Sequence, residues 1–339
     1  MKLKLIILML GVGCFSTAIA QKKNSSSMNP FFSAYNTPYN VPPFDKIKNE
    51  HYKPALSEGI QQHDAEIAAI ANITAAPTFE NTIVALETSG ELLYQVNVVF
   101  NNMNSANTNA EIQQIAKDVS PKLAAHHDNT YMNAKLFKRV QTLWNNRSSL
   151  GLNVEQAKIL ERTYKAFVRS GANLSDAEKD KLRKINGELS LTSLNYGQNI
   201  LAETNKYELV VDNKKDLAGL PQELIDAAAA DAAAKGKSGK WVFTLANSSV
   251  MPFLQYSANR SLRQQIWNAY QTRANHGDEF DNTANAIKLA NLRAEKARLL
   301  GYKSHADYVL EESMAKTPEN VMKLLNDLWK PALEIAQSE

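Results

Sequence analysis

Residues 175–196 read SDAEKDKLRKINGELSLTSLNY, and this stretch decides the fold class. Ser175 followed three residues later by Glu178 is a capping box, in which each side chain satisfies an N–H that the first helical turn leaves unpaired. Leu182, Ile185, Leu189 and Tyr196 then recur at helical spacing and make one apolar face. The same grammar extends outward in both directions. Asn153 with Gln156 opens a helix faced by Leu160, Tyr164 and Phe167. Further helices are expected from about Asn259 to Arg273 and from Asp281 to Leu300, the second closed by Gly301 where a left-handed cap belongs. Thr317-Pro318 puts a capping residue before a proline at the first helical position, ahead of Val321, Leu324, Leu325 and Leu328.

One region breaks the helical rule. Tyr207 to Val211 and Trp241 to Leu245 are short β-branched and aromatic runs that predict a pair of strands. The alanine-rich helix former Ala227 to Ala234 lies between them, ended by Lys235-Gly236-Lys237-Ser238-Gly239. Upstream, Phe31, Phe32, Pro38, Tyr39, Pro42, Pro43 and Phe44 mark an extended arm that drapes over the fold. No fixed-period repeat is present, which argues against a solenoid.

Composition narrows the classes further. The chain has 339 residues, 44% hydrophobic and 22% charged, the profile of a folded protein rather than a disordered or collagen-like one. Thirteen Gly and eleven Pro are too few for a turn-dense all-β fold. Lys and Arg number 38 against 35 acidic residues, and without a basic block this balance speaks against nucleic acid.

Residues 1–20 have the form of an export signal. Lys2 and Lys4 supply the positive start, Leu5 to Val12 the apolar run, and Ala18-Ile19-Ala20 the small-residue cleavage site. The expectation is export to the periplasm, with residues 21–50 forming a linker and arm. The apolar run is too short to span a bilayer, and no later one is long enough, so no transmembrane segment is expected. Cleavage would leave 36 basic against 35 acidic residues and remove Cys14, the one cysteine. A disulfide framework and a thiol nucleophile are then both excluded. An alternative reading makes Cys14 a lipidated anchor, although Gly11 sits where such signals prefer a bulky aliphatic residue.

The residues alone show no catalytic constellation. Gly236-Lys237-Ser238 resembles the end of a phosphate-binding loop, but that motif needs glycine at the position of Asp231 and a strand where a helix stands. The six histidines are His51, His63, His126, His127, His276 and His305, and no two are spaced i, i+4 as a helical zinc site requires. His126 and His127 are adjacent and would diverge by about 100° on a helix, so exposed polar positions beside Asp128 are expected. His63 and Glu66 read as a surface contact, and Glu311-Glu312 as solvated neighbours. Arg260, Arg263 and Arg273, with Trp267 and Tyr270, predict ion pairs and cation–π contacts rather than an anionic groove. No serine lies in a G-x-S-x-G elbow.

Several stretches together resemble a known family. They are Pro43-Phe44-Asp45-Lys46-Ile47 with His51-Tyr52-Lys53-Pro54-Ala55, Pro77-Thr78-Phe79-Glu80-Asn81-Thr82-Ile83, and Leu217-Ala218-Gly219-Leu220-Pro221. To these are added Asn259-Arg260 through Trp267-Asn268-Ala269-Tyr270, Asn282-Thr283, and Leu292 to Tyr302, ending at Met314-Ala315. Their order and spacing resemble the zinc metallopeptidases of the thimet oligopeptidase, oligopeptidase A and bacterial peptidyl-dipeptidase (dipeptidyl carboxypeptidase) family, from about Asn29 to Glu339. The arm and the export signal are more similar to the peptidyl-dipeptidases.

The resemblance implies a mostly α fold, the N-terminal lobe of a zincin-type oligopeptidase over residues 51–339, with a two-stranded β insertion around 207–245. It implies zinc and short-peptide substrates for the full-length family member. The H-E-x-x-H helix, third ligand and substrate-polarising tyrosine of that family lie in a second half absent here, so no catalytic, cofactor-binding or metal residue is carried over. The chain alone is expected to be inactive, with an exposed apolar seam for its missing C-terminal lobe. The rival expectation is a non-catalytic all-helical module that binds peptides or proteins.

Overall fold

The computed structural model describes residues 29–339. The export signal, Cys14 and the linker up to Met28 lie outside the described residues. Helices dominate, as the capping signals require. They are α1 (Asn49–Ala71), α2 (Ala85–Glu87), α3 (Glu91–Ala106), α4 (Ala110–Tyr131), α5 (Ala134–Asn145), α6 (Val154–Arg169) and α7 (Asp176–Lys206). After these come α8 (Gln222–Ala234), α9 (Asn247–Tyr256), α10 (Arg260–Gln271), α11 (Thr283–Leu299), α12 (His305–Leu310) and α13 (Pro318–Ser338). Both expected capping boxes form: Asn153 with Gln156 at α6 and Ser175 with Glu178 at α7. Asn259 caps α10, Thr317 caps α13 with Pro318 in its first turn, and Gly301 takes φ 86° beyond α11.

The β insertion is present and shorter than expected. β1 (Leu209–Val211) pairs antiparallel with β2 (Trp241–Phe243), with Val210 opposite Val242. This is the only sheet among the described residues. Such a two-stranded ribbon is marginal alone. Here Leu209, Val211 and Phe243 pack with Leu217, Val250, Phe253 and Ile266 into a core of their own under α8, α9 and α10. Gly219, in the Leu217–Pro221 link, has φ +88°, and a Cβ there would run into the Tyr256 carbonyl oxygen. The loop therefore requires glycine. Gly236-Lys237-Ser238 is a helix end and turn, with the Lys235 and Lys237 ammonium groups both held by Glu208.

Two further cores organise the rest. In one, α1, α3 and α4 bury Tyr52, Leu56, Val96, Phe100, Ile112 and Val119. The arm closes it: Phe31 is 3% exposed and packs at a tilt against Tyr52 at a centroid distance of 5.5 Å, while Asn29 Nδ2 donates to the His51 carbonyl at 2.9 Å. In the other, α5 and α6 bury Leu136, Val140, Leu160 and Phe167 against Phe79 and Ile83. The Pro77–Ile83 motif acquires a physical meaning here. Thr78 and Asn81 cap each other, and Arg139, reaching from α5, donates to Asn81 Oδ1 at 2.7 Å and to the carbonyls of Ile73 and Ala75 at 2.8 and 3.1 Å.

Candidate functional site

The candidate site begins with two histidines that sequence spacing kept apart. His126 is 7% exposed, so the expected pair of exposed polar positions is corrected. The reason is periodicity: Ile112, Ile115, Val119 and His126 share one face of α4, and the residue seven beyond Val119 points inward with it. His127 faces outward and packs on Tyr131, with ring centroids 4.5 Å apart.

His126 Nδ1 lies 2.7 Å from Asp64 Oδ1, its Nε2 lies 2.9 Å from His63 Nδ1, and His63 Nε2 lies 3.0 Å from Ser89 Oγ. Ser89 Oγ in turn donates to the Leu86 carbonyl at 2.7 Å. Donor counting shows what this chain of contacts needs. With both imidazoles neutral and Asp64 accepting from His126, Ser89 must turn its hydrogen to His63, leaving the Leu86 carbonyl without it. One added proton on the pair would supply the missing hydrogen, but at the cost of a charge among partly buried groups. Burial and the neighbouring His126 both push the His63 pKa below the ordinary histidine value.

The expected His63–Glu66 surface contact is also corrected. Glu66 Oε2 accepts from the Gly90 N–H at 2.7 Å, and a Cβ on Gly90 would lie 2.8 Å from His63 Nδ1. One turn of α1 thus clasps the Ser89-Gly90 turn. Because Glu66 occupies the Gly90 amide, that N–H is not free to steady an oxyanion beside Ser89, and the Ser–His–His–Asp order does not make a hydrolytic site. His63, His126, His127, Tyr131, Ile159 and Arg162 line a cleft of about 490 Å³ over this clasp.

A second cluster joins α4, α7 and α11. Asp128, 2% exposed, accepts from Asn186 Nδ2 at 2.8 Å, and Lys296 Nζ donates to Asn186 Oδ1 at 2.8 Å. Burial pushes the Asp128 pKa up to about 6 despite that hydrogen bond and the nearby Lys296. A third cluster ties α6 to the chain beyond α11. Arg169 donates to the Tyr308 carbonyl at 2.7 Å, stacks over the Tyr308 ring at 4.4 Å and pairs with Glu311, which also accepts from the Tyr302 hydroxyl at 2.6 Å. Glu312 pairs with Lys165 at 3.3 Å. Glu311 and Glu312 are therefore paired rather than merely solvated. Arg273, two residues beyond the end of α10, lies over the Tyr270 ring at 3.9 Å, as the cation–π expectation required.

The most open feature is α13. None of its residues is buried, and Met322, Leu324, Leu325, Leu328, Trp329 and Ile335 are all exposed, Trp329 by 66%. The apolar residues of this amphipathic helix are thus uncovered. No described helix is long and apolar enough to cross a membrane.

Comparison with known proteins fits this architecture. Residues 253–339 match the model of Peptidase family M3. Over 93% of its length the chain is 39% identical to "Dipeptidyl carboxypeptidase" of Escherichia coli (strain K12), covering 46% of that protein. It is 37% identical over 92% to the Salmonella typhimurium protein of the same name, again covering 46%. With "Probable cytosolic oligopeptidase A" of Arabidopsis thaliana it shares 28% identity over 92% of the chain, covering 45% of the relative. The chain spans about half the length of the curated relatives it matches. The family resemblance read from the sequence holds as a similarity: residues 253–339 match the M3 peptidase model, and nearly the whole chain is similar to one half of dipeptidyl carboxypeptidases. The chain is also similar to oligopeptidases A.

Peptidases of this family depend on a metal, generally zinc. The described residues do not fit such an ion. No group of three or more His, Cys, Asp or Glu among them is placed to hold one. The His63–His126 pair has turned its nitrogens toward each other, Asp64 and Ser89.

Proposed function

We propose that residues 51–339 form the non-catalytic lobe of an exported, zinc-dependent peptidyl-dipeptidase, which removes dipeptides from the C-termini of short peptides in the periplasm. In this reading the chain holds no catalytic or zinc-binding residue. It supplies one wall of the substrate channel, and a zinc-bearing lobe packs on it.

The observation that carries this reading is the uncovered apolar side of α13, within the segment matched by the M3 model. The identity with dipeptidyl carboxypeptidases supports the choice of reaction. The signal-like residues 1–20 support export.

Activity on a blocked tripeptide tests it, with and without a polypeptide carrying the H-E-x-x-H half of a dipeptidyl carboxypeptidase. The chain alone should hydrolyse nothing, and the pair should release a dipeptide. Hydrolysis by the chain alone, or tight stoichiometric zinc in it, overturns the proposal.

A further inference from the structure

A groove of about 300 Å³ lies where α7, α11 and α12 meet, and the proposed peptidase role makes no use of it. α7 contributes Asn186 and Ser193, α11 contributes Arg293 and Lys296, and α12 contributes His305 and Tyr308. Helical spacing explains the convergence. Residues seven apart on α7, and three apart on α11 and α12, fall on one face of their helix.

The polar inventory of this groove is one-sided. Arg293 makes no ion pair and no side-chain hydrogen bond among the described residues, although its guanidinium offers five donors. Lys296 spends one ammonium hydrogen on Asn186 Oδ1 and keeps two. His305 Nδ1 is a buried atom with no hydrogen-bond partner, and a buried polar atom left unpaired costs free energy. The Ser193 and Tyr308 hydroxyls likewise make no side-chain hydrogen bond.

No carboxylate lines the groove, and those nearby are engaged elsewhere. Asp128 is held behind Asn186, Glu188 by Lys288 at 2.9 Å, Glu295 by Lys181 at 3.0 Å, and Glu311 by Arg169. A small space bordered by two cations and lined by no anion is complementary to an oxyanion. A neutral or cationic ligand would leave the Arg293 charge unanswered.

We propose that this groove is a binding site for a small oxyanion, a phosphate or a carboxylate, held between Arg293 and Lys296 with the Tyr308 hydroxyl as a third donor. The occupant would bridge three helices and so fix α12, the element that leads into α13. This proposal is independent of the peptidase reading.

Titration of the full chain with sodium phosphate, chloride being adjusted to hold ionic strength constant, tests it by calorimetry and by Tm. Saturable binding and a Tm that rises with phosphate concentration are expected. Arg293→Gln, at an exposed position, should weaken binding by about tenfold or more with an unchanged Tm in phosphate-free buffer. Ser193→Glu, which places a carboxylate in the groove from another exposed position, should abolish binding. A parallel titration with acetate separates the sources. Binding of phosphate alone assigns a phosphate site, and binding of acetate assigns a carboxylate-accepting one. Absence of saturation with both anions, or binding unchanged in the two variants, overturns the proposal.

Discussion

His126 Nε2 on α4 lies 2.9 Å from His63 Nδ1 on α1, so two imidazoles from different helices meet at a single hydrogen between them. Their outer nitrogens are committed to Asp64 and Ser89. The arrangement is therefore sensitive to one proton. Its role in the fold is to lock α4 to α1 and to the Ser89-Gly90 turn.

The lowered His63 pKa gives a sign. Between that value and the ordinary value near 6.5, the unfolded chain binds a proton that the folded chain does not. Stability on this account rises with pH and is lost as pH falls below about 6.5. His63→Gln removes this contribution. Urea unfolding at pH 7 and pH 5 should show a smaller acid-side loss in the variant than in the parent, and equal losses would refute the assignment.

Asp128 works in the opposite direction. Its folded pKa of about 6 exceeds the ordinary 3.8, so between these values the folded state holds a proton that the unfolded state has released. Stability from this group therefore falls as pH rises from about 4 to about 6. Asp128→Asn keeps an oxygen for Asn186 and removes the buried charge. It should stabilise the fold at pH 7 by up to about 3 kcal/mol, an advantage that disappears near pH 4. Denaturant midpoints at the two pH values measure this.

Arg139 is 6% exposed and is tied to the Ile73 and Ala75 carbonyls and to Asn81. Arg139→Leu strands those acceptors beneath the Thr78–Asn81 cap. A loss of roughly 2–4 kcal/mol is expected in urea unfolding, from unsatisfied buried polar groups. Arg139→Lys should recover only part of it, because one ammonium cannot reproduce the planar fork.

The apolar side of α13 is already in water, so charging it costs the isolated chain little. Leu325→Lys and Leu328→Lys should each change unfolding stability by less than about 0.5 kcal/mol. Light scattering should show less self-association in the double variant. Under the proposed function, the same variant should fail to form an active complex with the zinc-bearing half.

Much of the fold was legible in local chemistry. Ser175 with Glu178, Asn153 with Gln156 and Thr317-Pro318 each placed a helix start, because caps act within one turn and need no distant partner. The strand pair was legible for its β-branched residues. By residue type His126 reads as exposed, whereas its place seven residues after Val119 on the α4 stripe carries the signal for burial. Nothing local linked His126 to His63, since a contact 63 positions apart is made by helix packing.

The sequence by itself determined the helical class, the β insertion and the family likeness, all of which rest on short-range periodicity, capping or the order of motifs. Tertiary structure decided which polar groups meet. It put Asp128 out of water, brought Arg293, Lys296 and His305 to one groove, and left the apolar residues of α13 uncovered while the apolar faces of α1 and α4 were covered. The physical reason is that burial and electrostatics depend on which helix faces come together, and helical periodicity specifies a face without naming its partner.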